Sequence, residues 1–415
     1  MDFRKQAAIN SVGSVVLMFG QWLISVLLVR MSGYEDAGVF SLAMTVSNMF
    51  TFFANYGLRN YQVADVKGTY TQVQYLLARF CTSTAALVAC AVYLMLVPNY
   101  TLTERWAVLF YLLYSLCNII SDILFGALQL QGRLEINGYS NVIRGVLCFV
   151  AFIASYAVCH QMVLSLLVMV AVDVIWSGLY DWRYFLQSEK LNRPGGKDLL
   201  RCGRLLRACF TLMISSLLPV ITTALPRLSI KSQAGTEQLG YFSTIFTPTV
   251  LMTTLVPSII IVMVPKMAKS WNEGRRGEYL KFAGQNYLIS VAFVALAEVA
   301  ALLVGRPVMR LLFGPEILDH YSLLYWAILA TGLNLMVSCG NSALISIHSN
   351  MTVAIASALA LGFTAALSGP MVRAFGINGA AYVLALAYFL QALFQTVVIL
   401  YQVGHRGAKK QGPQS

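Results

Sequence analysis

Ser188-Glu189-Lys190-Leu191-Asn192-Arg193-Pro194-Gly195-Gly196-Lys197-Asp198 is the longest polar interruption in a chain of 415 residues that otherwise alternates between apolar runs and brief charged turns. Six apolar runs precede it, at about 7–30, 36–58, 73–97, 104–130, 138–159 and 161–186. Six follow, at about 204–230, 238–265, 281–304, 320–345, 350–372 and 377–402. Each has roughly the 20 residues that span the hydrocarbon core of a bilayer as a helix. The expected organisation is an N-terminal lobe over 1–190, a cytoplasmic linker over 191–203 and a C-terminal lobe over 204–415. An even number of spans gives both halves the same orientation, so any symmetry axis relating them runs along the membrane normal.

Composition supports lipid as the solvent. Hydrophobic residues make up 58% of the chain and charged residues only 11%, against about 25% charged in an average soluble protein. The net charge of +12 does not point to nucleic acid, because the basic residues sit in short loops with no basic face or stacking aromatics beside them. Their distribution instead reports topology: 22 of the 29 Lys and Arg fall on the side of the membrane that holds both termini, and 7 on the other. The positive-inside rule makes the first side cytoplasmic. Met1-Asp2-Phe3-Arg4-Lys5 followed by an apolar run resembles a signal peptide, but the run continues to about Val29 without a clear small-residue cleavage site, so it reads as a retained first span.

A weak internal repeat agrees with the division. Glu35-Asp36-Ala37-Gly38-Val39-Phe40-Ser41 opens the second span of the first half, and Glu237-Gln238-Leu239-Gly240-Tyr241-Phe242-Ser243 the second span of the other. Two related six-helix lobes around a central passage is a transporter plan.

Ionisable residues inside a span cost roughly 2.5–3.5 kcal/mol on insertion scales and call for an explanation. Asp122 and Arg144 lie at similar depths on adjacent antiparallel spans, which suggests a buried ion pair acting either as a structural clasp or as a gate. Asp173, in mid-span, has no basic residue at its depth among its sequence neighbours. It is a candidate for proton or cation coupling, with a hydrogen-bonded structural acid as the alternative. Glu298, nearer the end of its span, is expected at the interface. Arg30, Arg227 and Lys231 lie at the outer ends of the first spans of the two halves. They are candidates to bind an anionic substrate, or else they snorkel to headgroups. Pro219, Pro226, Pro248, Pro257 and Pro265 are expected to kink the spans that carry them. No P-loop, His-Glu-x-x-His or dinucleotide fingerprint occurs, so neither a soluble-enzyme activity nor a cofactor or metal is expected, and energy must come from a gradient.

Three stretches carry a family resemblance. They are Tyr56-Gly57-Leu58-Arg59-Asn60-Tyr61-Gln62-Val63-Ala64-Asp65, continued by Tyr75 and Arg79; Asp122, Gly126, Gln129, Gly132-Arg133, Ser140 and Arg144-Gly145; and Leu225-Pro226-Arg227 with Leu239-Gly240-Tyr241-Phe242-Ser243. Together with Gly305, Pro307 and Leu311-Leu312-Phe313-Gly314, they resemble the O-antigen and capsule flippases of the multidrug/oligosaccharidyl-lipid/polysaccharide (MOP) exporter superfamily. The resemblance implies an all-α, MATE-like membrane fold of about twelve helices, V-shaped and working by alternating access. It further implies a cytoplasmic motif at Arg59, Asp65 and Arg79, and residence in a bacterial inner membrane. The implied substrate is an undecaprenyl-pyrophosphate-linked oligosaccharide, moved from the cytoplasmic to the outer leaflet. Partners would be that lipid-linked oligosaccharide, membrane lipids, and a polysaccharide polymerase and glycosyltransferases. A multidrug or cation antiporter of the same superfamily would need an acidic pocket, whereas the candidate cavity residues here are basic. A membrane enzyme acting on lipid-linked sugars would need a large outer domain, and the longest outer loop expected, 306–320, is too short for one.

Overall fold

The computed structural model of the chain describes residues 3–65, 68–188 and 195–409. Every regular element among them is helical, as expected for a chain in lipid, where each backbone N–H and C=O must find its partner within the segment. Among the described residues, eleven helices are long and apolar enough to cross a membrane. Packing divides the chain into two compact units, Met1–Val220 and Ile221–Ser415.

The first unit contains α1 (Phe3–Ser32), α2 (Tyr34–Asn55), α3 (Leu58–Ala64), α4 (Gln72–Leu96), α5 (Leu102–Leu130), α6 (Glu135–Cys159), α7 (Met162–Trp176), α8 (Trp182–Ser188) and the first part of α9 (Gly196–Ala234). The second contains the rest of α9, then α10 (Thr236–Phe246), α11 (Val250–Asn272), α12 (Arg276–Ala300), α13 (Arg306–Phe313), α14 (Ser322–Ser346) and α15 (Asn350–Lys409). Gly376, at φ 60 and ψ −142, breaks α15 into the spans Asn350–Phe375 and Ile377–Gly404.

Four local features go beyond the apolar runs. The second expected span ends early, because Tyr56 and Gly57 both adopt left-handed φ (52 and 67). The eighth expected span, 238–265, is not one helix: α10 and α11 are separated by a 3-10 turn at Thr247–Thr249 around Pro248. Proline supplies no N–H to the ladder, and the hydroxyls of Thr247 and Thr249 donate to the carbonyls of Ser243 (2.8 Å) and Phe246 (2.7 Å). The stretch 306–320 is not a loop but helix α13 and a 3-10 turn, Glu316–His320, which buries Met309 and Phe313. Finally, α9 begins at Gly196, inside the segment expected as linker. Its first half turns Cys202, Leu205 and Cys209 into a core with Tyr75, Leu76 and Phe185, leaving Arg201, Arg204 and Arg207 exposed. Residues 189–194 lie outside the described residues.

The largest helix interface in the first unit joins α1 to α6, and glycines make it close. A Cβ on Gly13 would strike the backbone of Gly138, one on Gly138 the backbone of Ile9, and one on Gly20 or Gly145 would crowd the facing helix at 3.0–3.1 Å. Small residues at such spacing let helix backbones touch where lipid supplies no hydrophobic drive to association. Gly138→Val should therefore separate the two helices, because backbone cannot yield as a side chain can; overpacking of this kind costs about 1–3 kcal/mol or more. A lowered unfolding temperature in detergent is the expected result. Gly284→Ala, where nothing lies within 4 Å, should be neutral or slightly stabilising.

Candidate functional site

In the first unit, chemistry concentrates on one buried guanidinium. Arg144 (1% exposed) meets two carboxylates that are 0% exposed: Nη2 lies 2.5 Å from Asp181 Oδ2 and Nε 2.9 Å from Asp173 Oδ1. The first approach is a hydrogen bond, while the second is an ion contact whose angle leaves Nε without one. Arg144 also donates to Asn118 Oδ1 (2.9 Å) and Ser121 Oγ (2.8 Å). Ser140 Oγ donates to Asp181 Oδ1 at 2.6 Å, and Trp176 Nε1 donates to Ser140 Oγ at 3.1 Å.

Local backbone explains how two acids eight positions apart face one arginine. Eight residues of ideal α-helix overshoot two full turns by about 80°. The residues Ser177–Asp181, between α7 and α8, instead form a wider π-turn, which brings Asp181 back toward the face of Asp173. Ser177 sits between them, 2.9 Å from Ser121 Oγ. Such π-turns recur at functional sites.

This arrangement corrects two expectations. Asp122 and Arg144 are not partners, because a helix rotates about 100° per residue and depth alone does not set facing. Arg144 reaches the face of α5 that carries Asn118 and Ser121. Asp122, one residue further on, turns toward α3 and pairs with Arg59. Nor does Asp173 lack a basic partner, since it has Arg144. The sequence reading missed Asp181, whose signal was the Asp173-x3-Ser177-x3-Asp181 spacing.

The motif residues Arg59, Asp65 and Arg79 serve three separate contacts. Arg59 bridges Asp122 and Gln129, above Gly126, where a Cβ would collide with the Gln62 side chain. Arg79, fully buried, donates to the carbonyl of Ala54 (2.7 Å) and to Asn55 Oδ1 (3.3 Å), so it caps the C-terminal end of α2, where the helix dipole is negative. Asp65 accepts from the backbone N–H of Thr69 (2.9 Å) and Tyr70 (3.0 Å) and from Tyr75 Oη (3.2 Å). Desolvation acts to raise its carboxyl, and those bonds more than offset it, holding the group below the usual carboxylate value.

In the second unit, Arg227 borders a cavity of about 190 Å³ whose polar lining is Thr223, Thr249, Thr253, Thr331, Asn334 and Tyr388. Among the described residues, no carboxylate lines it. Arg227 Nε is buried without a hydrogen-bond partner, and the Tyr388 ring lines the same cavity. A guanidinium in a membrane-embedded, hydroxyl-lined cavity with no acid beside it is suited to an anion brought from outside the protein. The volume is below the roughly 300–1,000 Å³ of a drug-sized pocket, so it fits a small anionic group and not an oligosaccharide. Lys231, one turn on, donates to Thr236 Oγ1 at 2.6 Å, and Arg30 is exposed near the end of α1. Glu298 is partly exposed on α12.

Comparison with known proteins adds the family. A profile described as "Polysaccharide biosynthesis protein" matches residues 3–271. The capsular polysaccharide biosynthesis protein CapF of Staphylococcus aureus is 24% identical over 327 residues, covering 79% of this chain and 81% of CapF. The lipid II flippase MurJ, in an inward closed conformation, superposes with a TM-score of 0.74 at 12% identity, over 94% of this chain and 87% of its own. An inward-facing MATE multidrug-resistance transporter of the MOP superfamily gives 0.72 at 14% identity, with 100% of both chains covered. At such identities the two superpositions speak for the fold, a helical MOP-transporter fold, while the profile match extends over more than half of the chain. The chain belongs to the polysaccharide biosynthesis protein family.

Proposed function

We propose that this protein is a flippase that moves an undecaprenyl-pyrophosphate-linked oligosaccharide from the cytoplasmic to the outer leaflet of a bacterial inner membrane. In this reading the protein works by alternating access, with both termini cytoplasmic. The carrying observation is Arg227, a guanidinium without an acidic partner on a hydroxyl-lined cavity inside the membrane. A pyrophosphate is the small anion that such a substrate would bring there. Arg30 and Lys231 complete the basic set assigned to the substrate. A cation or drug antiporter is disfavoured, because such cargo calls for an acidic pocket and this cavity has no carboxylate.

Energy coupling is assigned to Asp173 together with Asp181. One guanidinium facing two carboxylates leaves a surplus negative charge in a dry site, and a proton or a monovalent cation would neutralise it. Taking up and releasing that ion would bias the two states of the transporter. Arg59 and Asp122 are assigned to clasp α3 to α5 on the cytoplasmic side, beside the turn built by Asp65 and the helix cap built by Arg79.

The test uses a strain deleted for the gene. Lipid-linked oligosaccharide should accumulate in its cytoplasmic leaflet, surface polysaccharide should vanish, and the full chain supplied on a plasmid should reverse both. Normal surface polysaccharide in the deletion strain, with drug sensitivity increased, would replace this reading with the antiporter.

A further inference from the structure

The turn at Thr247–Thr249 has a polar cavity on one side and an apolar groove on the other. The groove, of about 260 Å³, is walled by Pro248, Leu251, Met252, Ala300, Val304 and Val308 and is apolar almost throughout. It shares one residue, Thr249, with the Arg227 cavity. The hydroxyl of Thr249 is committed to the carbonyl of Phe246, so it does not require a polar occupant on the groove side.

Two irregular turns shape the groove. On one flank, Pro248 ends the regular ladder of α10. On the other, the π-turn Ala301–Gly305 between α12 and α13 widens the helix, and Tyr321 Oη donates to the carbonyl of Ala301 at 2.5 Å. Regular helices packed side by side would close the space with their own side chains. Here Leu251, Val304 and Val308 are 61%, 53% and 43% exposed along it, within the part of the chain that must face lipid.

We infer that this groove holds the first isoprene units of the lipid carrier while its pyrophosphate sits at Arg227. The inference rests on the flippase reading above and deepens it. An isoprenyl pyrophosphate is a small, strongly anionic head joined directly to a branched apolar chain, and the cavity and groove present those two chemistries in the same order across one residue. A phospholipid fits less well, because its glycerol and esters stand between phosphate and hydrocarbon, where this structure offers only Thr249. The arrangement explains how the polar cavity can accept a head whose tail stays in the bilayer: the chain leaves sideways past the 3-10 turn.

The experiment uses the full chain purified into lipid nanodiscs, with inorganic pyrophosphate, farnesyl pyrophosphate and undecaprenyl pyrophosphate as probes. In the wild type, affinity should rise at least tenfold from inorganic to farnesyl pyrophosphate. Ala300→Trp, which fills the groove, should abolish that gain and leave inorganic pyrophosphate unchanged. Probe partitioning into the bilayer is common to variant and wild type, so their difference reports the groove. A farnesyl pyrophosphate bearing a diazirine in its first isoprene unit should label Leu251, Val304 or Val308 in the unmutated protein, which decides the matter even if Ala300→Trp folds poorly. An undiminished gain in well-folded Ala300→Trp, labelling confined to residues before 221, or equal displacement of the label by phospholipid would each overturn the inference. Failure of the Arg227 assignment would look different, as inorganic pyrophosphate binding that Arg227→Ala does not alter.

Discussion

Arg227→Ala is expected to reduce surface polysaccharide to the level of a strain lacking the gene, with the protein still present in the membrane in normal amount. The two halves of this expectation have separate causes. Because no carboxylate lines the cavity and Arg227 Nε has no acceptor, removing the guanidinium strands no partner, and a buried charge without a partner contributes little to stability. Transport is another matter, since a hydrogen bond to a charged group contributes about 1.5–3 kcal/mol, or roughly one to two orders of magnitude in affinity for each bond. A guanidinium grips phosphate oxygens with a planar fork, whereas an ammonium offers a point charge, so Arg227→Lys should restore export only in part. A side chain that merely snorkelled to headgroups would give the reverse pattern, with lysine as good as arginine and alanine mild. Surface polysaccharide and accumulated lipid-linked precursor are the two quantities to measure. Normal export by Arg227→Ala would remove the cavity from the substrate path.

Arg144→Gln should be the most destabilising single change in the first unit. It leaves Asp173 and Asp181, both 0% exposed, facing each other without a cation. Breaking one buried pair costs about 3–5 kcal/mol, and here one substitution breaks two contacts. The protein should fail to accumulate, or should unfold well below the wild type in detergent. Adding Asp181→Asn should recover part of the loss, with a coupling energy above about 1 kcal/mol in a double-mutant cycle. Asp122→Asn should not couple to Arg144→Gln, because Asp122 belongs to Arg59; their effects should add within about 0.5 kcal/mol. Coupling of Arg144 to Asp122 in place of Asp181 would refute the observed pairing.

The contrast between those two cycles shows where sequence reasoning stops. Depth along a span follows from counting residues, so Asp122 and Arg144 could be placed at one level. Facing depends on rotation about the helix axis, and a one-residue difference, Ser121 against Asp122, decides which side chain meets Arg144. Asp181 was obscured by its place near a span end, where an acid is unremarkable, and by a π-turn that no 3.6-residue period reveals. Spans were far more legible, because about 20 apolar residues between charges have few other fates. Even there Pro248 announced a kink without saying that it would part α10 from α11. Pro226-Arg227 drew attention to the cavity, but apart from Thr223, one turn before Arg227 on α9, its threonines and Tyr388 come from four other helical segments and share no local pattern.

The glycine contact between α1 and α6 has a consequence for biogenesis. Gly13 touches Gly138, yet the ribosome makes the first of these long before the second. At about 5–20 residues per second, the 124 intervening residues take roughly 6–25 s. Throughout that interval the first span has been inserted without the helix it fits most closely, and its glycine-lined face must be met by lipid or by an insertion factor. The first span thus gains its main helix partner only once α6 has been made, and a ribosome that stalls before residue 138 leaves that face unmatched.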